Sequence, residues 1–173
     1  MNTQFNYLYR DGGNWKNLNS VVLEGTLDDK QINEICDLMD GLTFIPRQVG
    51  LPEERFPESP TEDDHCWFEV VDPDDAFKPT DNPPTIDMTA QELYEKFLEV
   101  NGEWDDIRYA YGVFDFPLCP DNDNEKIDWK NAFIAYVQND LVNSSAEYVR
   151  EVLQDVVGLS NEQMAEFGLD LER

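Results

Sequence analysis

The sequence predicts an α+β fold, with a small N-terminal antiparallel sheet and one helix followed by a mainly helical C-terminal part. Three observations carry this prediction. Apolar residues alternate in the opening segment, as on a half-buried strand. Apolar stripes of helical period dominate after residue 89. Between them lies a stretch rich in proline and aspartate, read as a linker over 73–88, so that 1–72 forms the α+β unit and 89–173 the helical part.

Phe5, Tyr7 and Tyr9 alternate with Asn6, Leu8 and Arg10, the period-two signature of a strand. Asp11-Gly12-Gly13-Asn14 is a turn signal, because the two glycines admit positive φ at little cost. A second strand is expected around Ser20–Glu24. Asp28 or Asp29 then caps a helix reaching about Met39, whose Ile32, Ile35, Cys36 and Met39 form one apolar stripe. Gly41 is placed to end it. Leu42–Ile45 reads as a short strand, Pro46–Pro60 as a loop, and Cys66–Val71 as the best third strand, being short and rich in β-formers.

Four prolines in 72–88 exclude a continuous helix or a central strand there. Thr89 with Glu92 three residues on forms a capping box. It opens a helix through about Val100, with Leu93, Phe97 and Val100 inward and Gly102 closing it. Residues 104–114 fit either strand or helix. Further helices are expected over 128–142, after Ser144 or Ser145, and from Ser160 through Phe167.

Charge is the dominant compositional fact. The 173 residues hold 38 Asp and Glu against 12 Lys and Arg, a formal charge of −26. Residues 1–88 and 89–173 share this excess equally, so it is not an acidic tail on a neutral domain. An aromatic content of 12% argues for a folded chain, since disordered acidic chains are poor in aromatics. A fold of this length is about 40 Å across, a span over which duplex DNA carries roughly 24 charges. Self-repulsion at that density opposes compaction. Four explanations compete: solubility, adaptation to high salt, binding of many calcium ions, and electrostatic imitation of nucleic acid. Solubility alone requires far less charge, a net magnitude of about 2–8.

No stretch approaches the roughly 20 apolar residues of a bilayer span. The opening Met1-Asn2-Thr3-Gln4 has neither the basic nor the apolar region of a signal peptide. Cys36, Cys66 and Cys119, odd in number and without a CxxC pair, fit free thiols in a reducing compartment. A cytoplasmic location is the expectation, with no membrane partner.

Chemistry-bearing motifs are sparse. His65 stands beside Cys66 alone, and adjacent strand residues point to opposite faces, so a surface histidine is expected rather than a zinc ligand. Asp121-Asn122-Asp123-Asn124-Glu125 begins like a calcium loop. Counted from Asp121, however, the positions that need Gly and Glu hold Lys126 and Ala132. The chain has no GxxxxGK[ST], GxGxxG or Gly-x-Ser-x-Gly motif. The expectation is therefore a non-enzymatic protein with no catalytic residue, cofactor or dedicated metal site.

What remains is a combination of acids with aromatics. Carboxylates accept bidentate bonds from arginine, and Trp and Tyr anchor tight interfaces. The alternative is that these aromatics are core and the acids merely solvated. Three acidic segments are the expected partner-binding candidates. The first holds Asp63, Asp64, Asp72, Asp74 and Asp75. The second holds Glu99, Glu103, Trp104, Asp105 and Asp106, and the third Asp121, Asp123 and Glu125.

In size and charge the chain resembles the DNA-mimicking antirestriction and anti-CRISPR inhibitors of phages and mobile elements. The resemblance is one of overall character and transfers no site residue. It implies inhibition of a bacterial nucleic-acid-processing enzyme by occupation of its basic channel, with a basic nucleic-acid-binding protein as partner and no direct contact with nucleic acid. The opening Phe5-Asn6-Tyr7-Leu8-Tyr9-Arg10-Asp11 with Ser20-Val21-Val22 also resembles the start of small uncharacterised bacterial proteins, which implies no activity. The rival expectation is an acidic adaptor or immunity-type protein that binds one basic protein without imitating nucleic acid.

Overall fold

The structure, a computed structural model, describes residues 1–57 and 63–106, together with positions 109, 151, 154, 160 and 162. Met1–Ser59 with His65–Asp105 forms one compact unit, and Pro60–Asp64 with Asp106–Arg173 is grouped as a second. The expected helices over 128–142, after Ser144 and from Ser160 lie outside the described residues.

The first unit is α+β. Strands β1 (Asn2–Arg10) and β2 (Lys16–Leu23) form the predicted hairpin, in register from Thr3 opposite Leu23 to Arg10 opposite Lys16. Asn14 takes positive φ in its turn, and the Asp11 carboxylate accepts from the Trp15 N–H at 2.8 Å. Helix α1 (Asp29–Leu38) follows, capped by Asp28 with Gln31 completing a capping box. Strand β3 (Thr43–Phe44) leads into a 3₁₀ turn at Pro46–Val49. Then come β4 (Phe68–Glu69), the one-turn α2 (Pro73–Ala76), β5 (Phe77–Thr80) and α3 (Ala90–Val100), the last capped by Thr89 and Glu92.

All five strands join one antiparallel sheet. The path runs β2-β1-β4-β3, with β5 on the same side of β1 as β4. Alternation along β1 sends Thr3, Phe5, Tyr7 and Tyr9 inward. There they meet Phe44, Phe68, Phe77 and, from α3, Leu93 and Phe97. Phe5 stacks on Phe77 with ring centroids 4.2 Å apart. Ile35 and Met39 of α1 close the same core, and α1 packs beside α3.

Three expectations require correction. Residues 73–88 are not a linker, since they supply α2 and β5. Thr3 pairs with Pro79 and Phe5 with Phe77. Pro79 sits in a strand because β5 is an edge, where the missing N–H leaves no ladder bond unmade. The third strand is also shorter than expected, Phe68–Glu69 in place of Cys66–Val71, because the chain leaves the sheet at Val70 to form α2. Helix α1 ends at Leu38 with Met39 as its C-cap, before Gly41, which takes positive φ in the turn to β3.

Candidate partner-binding surfaces

Each predicted acidic segment has a distinct fate. Glu99 is exposed in the last turn of α3, and Glu103 is exposed on the loop that follows, which is fixed in place. Asn101 and Gly102 adopt positive φ to turn the chain. Gln48 then clamps it from both sides, its amide donating to the Glu103 carbonyl at 3.0 Å and accepting from the Asp105 N–H at 3.0 Å. Trp104 is half-buried and is no free anchor. Its indole Nε1 donates to the Leu38 carbonyl at 3.0 Å, and its ring meets Phe44, Phe97 and Trp67 edge-on. The tryptophan thus holds the acidic loop against the core.

Asp72, Asp74 and Asp75 are all exposed around α2. Asp72 caps that turn through the Asp74 N–H at 3.0 Å, and Asp75 pairs with Lys78 at 2.7 Å. Asp63, in the second unit, is exposed, whereas Asp64 is buried at 5% exposure and does not face solvent. Asp106 is half-buried. Asp121, Asp123 and Glu125 lie outside the described residues. His65, expected on the surface, is half-buried against Tyr9 at 5.4 Å, and its Nδ1 accepts from the Trp67 N–H at 3.2 Å.

Sequence reasoning missed that α1 and α3 together form a carboxylate layer. Asp29, Asp37 and Asp40 are exposed on and just after α1, as are Glu92, Glu95 and Glu99 on α3. The available signal was spacing, for these acids fall opposite the Ile35/Met39 and Leu93/Phe97 stripes. The two helices are joined at their surface. Gln31 donates to Gln91 at 3.0 Å, and the Tyr94 hydroxyl donates to Glu34. That carboxylate raises the Tyr94 phenol above its ordinary pKa, through the hydrogen bond first and then desolvation. Glu92 is held below the ordinary carboxylate range, chiefly by the Thr89 backbone N–H.

Bases in the described unit are largely engaged. Arg10 grips Glu69 through both Nε and Nη2, the latter at 2.6 Å. Lys30 pairs with Glu34 at 3.5 Å and Lys78 with Asp75. Arg47 and Arg55 share Glu53, at 3.6 Å and 3.1 Å. The Arg55 side chain, only 9% exposed, also donates to the His65 carbonyl and lies over the rings of Tyr9 and Phe68.

The outward sheet face differs in character. Between β4 and β5 the chain needs residues 70–76 to pass what β1 spans with Asn6 and Tyr7 alone. The surplus leaves the sheet as α2, and Asn6 Nδ2 reaches the Asp75 carbonyl across the gap at 3.4 Å. The result is a concavity of about 400 Å³ lined by residues that include Leu8, Leu18, Val71, Asp72, Asp75 and Lys78. Leu18 and Val71 are 68% and 71% exposed.

Among the described residues no three His, Cys, Asp or Glu side chains group so as to hold a metal ion, and no helix is long and apolar enough to cross a membrane. Set against models of known families, curated proteins and solved structures, the chain matches none.

Proposed function

We propose that this chain is a stoichiometric, non-catalytic inhibitor that binds a basic, nucleic-acid-handling bacterial protein, its carboxylates standing where nucleic acid would place phosphates. The observation that supports this most is the helical carboxylate layer. Acids on α1, α3 and the clamped loop face solvent, while Arg10, Lys30, Arg47, Arg55 and Lys78 are already committed to carboxylates of the same unit. Among the acids of the layer only Lys30 on α1 and Lys96 on α3 stand as bases, the latter near enough to lower Glu92, so the negative field of a −26 chain is offset there only in part. Such a field steers a basic partner to the surface and displaces the nucleic acid the partner would otherwise hold.

The test is capture of partners from bacterial lysate, with and without excess duplex DNA, at about 0.1 M and 0.5 M salt. An interface of 6–10 phosphate-like contacts loses on the order of 10³–10⁵ in affinity between 50 and 200 mM salt. A basic partner that DNA or salt removes is the expected result. Neutralising Glu92, Glu95 and Glu99 to glutamine should then weaken binding in steps. A partner that survives both treatments rejects mimicry and favours the adaptor.

A further inference from the structure

We infer that the concavity on the outward sheet face is a second docking surface, which takes an apolar side chain flanked by lysine or arginine from the same basic protein partner. This inference rests on the proposed function for the basic character of the partner.

The cross-strand register places Leu8 opposite Leu18 on β2 and opposite Glu69 on β4. Leu18 and Leu8 face each other across β1 and β2, and Val71, two residues beyond Glu69, lines the same concavity, with Leu18 and Val71 well exposed. Single exposed leucines need no explanation, but here the exposed Leu18 and Val71 border one concavity together with Leu8. This grouping is more conspicuous in a chain whose surface is otherwise crowded with charge. The volume, about 400 Å³, lies within the range of sites that bury a large side chain or small ligand.

Charge chooses the occupant. The lining carries Glu69, Asp72 and Asp75 against Lys78. Arg10 engages Glu69 and Lys78 engages Asp75, which leaves the Asp72 carboxylate, bound to one backbone N–H, as the open charge on the rim. Asp74 is exposed beside it. An apolar floor with an anionic rim selects a leucine-like or aromatic side chain next to a cation, the pairing of core anchor and polar rim usual in interfaces. A second copy is a poor occupant, since two chains of −26 repel. An anionic membrane surface is repelled in the same way. The two surfaces divide the work. The carboxylate layer governs encounter and salt dependence, and the concavity governs residence time.

The experiment uses the full chain, ¹⁵N-labelled, titrated with five-residue capped peptides. One alternates lysine and leucine, a second lysine and serine, a third glutamate and leucine. The lysine–leucine peptide is expected to shift the amides of Leu8, Leu18, Val71 and Asp72 and to bind about tenfold more tightly than the lysine–serine peptide, the scale of one buried leucine. Leu18→Ser and Val71→Ser, both at exposed positions, should each remove most of that advantage, whereas Leu98→Ser on α3 should not. Equal binding of the two lysine peptides, spread over α1 and α3, overturns the docking surface and leaves the charge-based function standing. Binding of the glutamate–leucine peptide as tight as the lysine–leucine one overturns the selection for a basic partner at this site. Failure of all three peptides to bind overturns the docking surface and removes support from the function as well.

Discussion

Glutamate 53 offers the sharpest test of how an overwhelmingly acidic chain keeps its few cations in place. Replacing it with glutamine preserves volume and an oxygen for the Arg47 N–H, but leaves the Arg55 guanidinium, 9% exposed, without its counter-charge. At the observed 3.1 Å the lost attraction is about 5 kcal/mol at an effective dielectric of 20. Arg55 keeps both bonds to the His65 carbonyl and its two ring contacts. The net cost expected for Glu53→Gln is therefore about 2–4 kcal/mol, at or just below the usual cost of breaking a buried pair. For a cooperative chain of this length that lowers Tm by about 5–15 °C. Urea and thermal unfolding followed by circular dichroism at pH 7 would measure it. Adding Arg55→Met to Glu53→Gln should recover part of the loss, because the stranded charge is gone. A single variant within about 0.5 kcal/mol of the parent, the scale of an ordinary surface change, would refute the reasoning, as would a double variant less stable than Glu53→Gln.

Three further outcomes are expected. Raising salt from 0.1 M to 1 M shortens the Debye length from about 10 Å to 3 Å and should raise Tm, because screening relieves self-repulsion in a −26 chain; a falling Tm would show that attractive pairs dominate. Tyr7, whose hydroxyl donates to the Pro52 carbonyl at 2.6 Å, is pushed above the ordinary tyrosine value of 10.0 by burial, then by Glu53 and Glu54. The folded state thus holds this proton more tightly than the unfolded state, so its contribution is intact below about pH 10 and is lost as pH rises beyond it. A 295 nm titration should show fewer tyrosines ionising near pH 10 in the parent than under denaturing conditions, Tyr94 being raised as well, and Tyr7→Phe should reduce that shortfall by one. Thr89→Ala removes a helix cap and should cost about 1 kcal/mol in urea unfolding. In the parent, the Glu92 carboxylate should titrate below the ordinary glutamate range by NMR. Its depressed value means that its stabilisation is present above that range and fades as pH falls through the folded-state value.

Much of the described unit is legible in the sequence where local signals act alone. The β1–β2 hairpin follows from alternation and the Asp11–Asn14 turn signal, although the turn takes its positive φ at Asn14 and not at a glycine, and α1 and α3 follow from Asp28 and Thr89 with their stripes. Residues 73–88 escaped because their pairing is non-local. Nothing near Lys78-Pro79 announces that β1, some seventy residues earlier, supplies the partner. Edge position overrode what proline density implied. At the candidate surfaces, Glu99 and Glu103 were visible as an acidic run, but the grouping of α1 and α3 acids needed the packing of two helices. Trp104 was ambiguous between anchor and core until the Leu38 carbonyl appeared as its hydrogen-bond partner. The concavity, made by the surplus length of 70–76, had no signature in composition.

The closure of β1 by β5 also sets an order of events during synthesis. The hairpin of β1 with β2 is local and forms as soon as Leu23 has left the ribosome. The opposite edge of β1 must then wait for residues 77–80. At roughly 5–20 residues per second that interval lasts several seconds. Throughout it, a strand bearing Phe5, Tyr7 and Tyr9 presents unpaired N–H and carbonyl groups beside uncovered rings. Open edges of that kind recruit other chains. The dense negative charge of the emerging polypeptide keeps nascent neighbours apart during the delay. A chain truncated after Ala76 would make that exposure permanent.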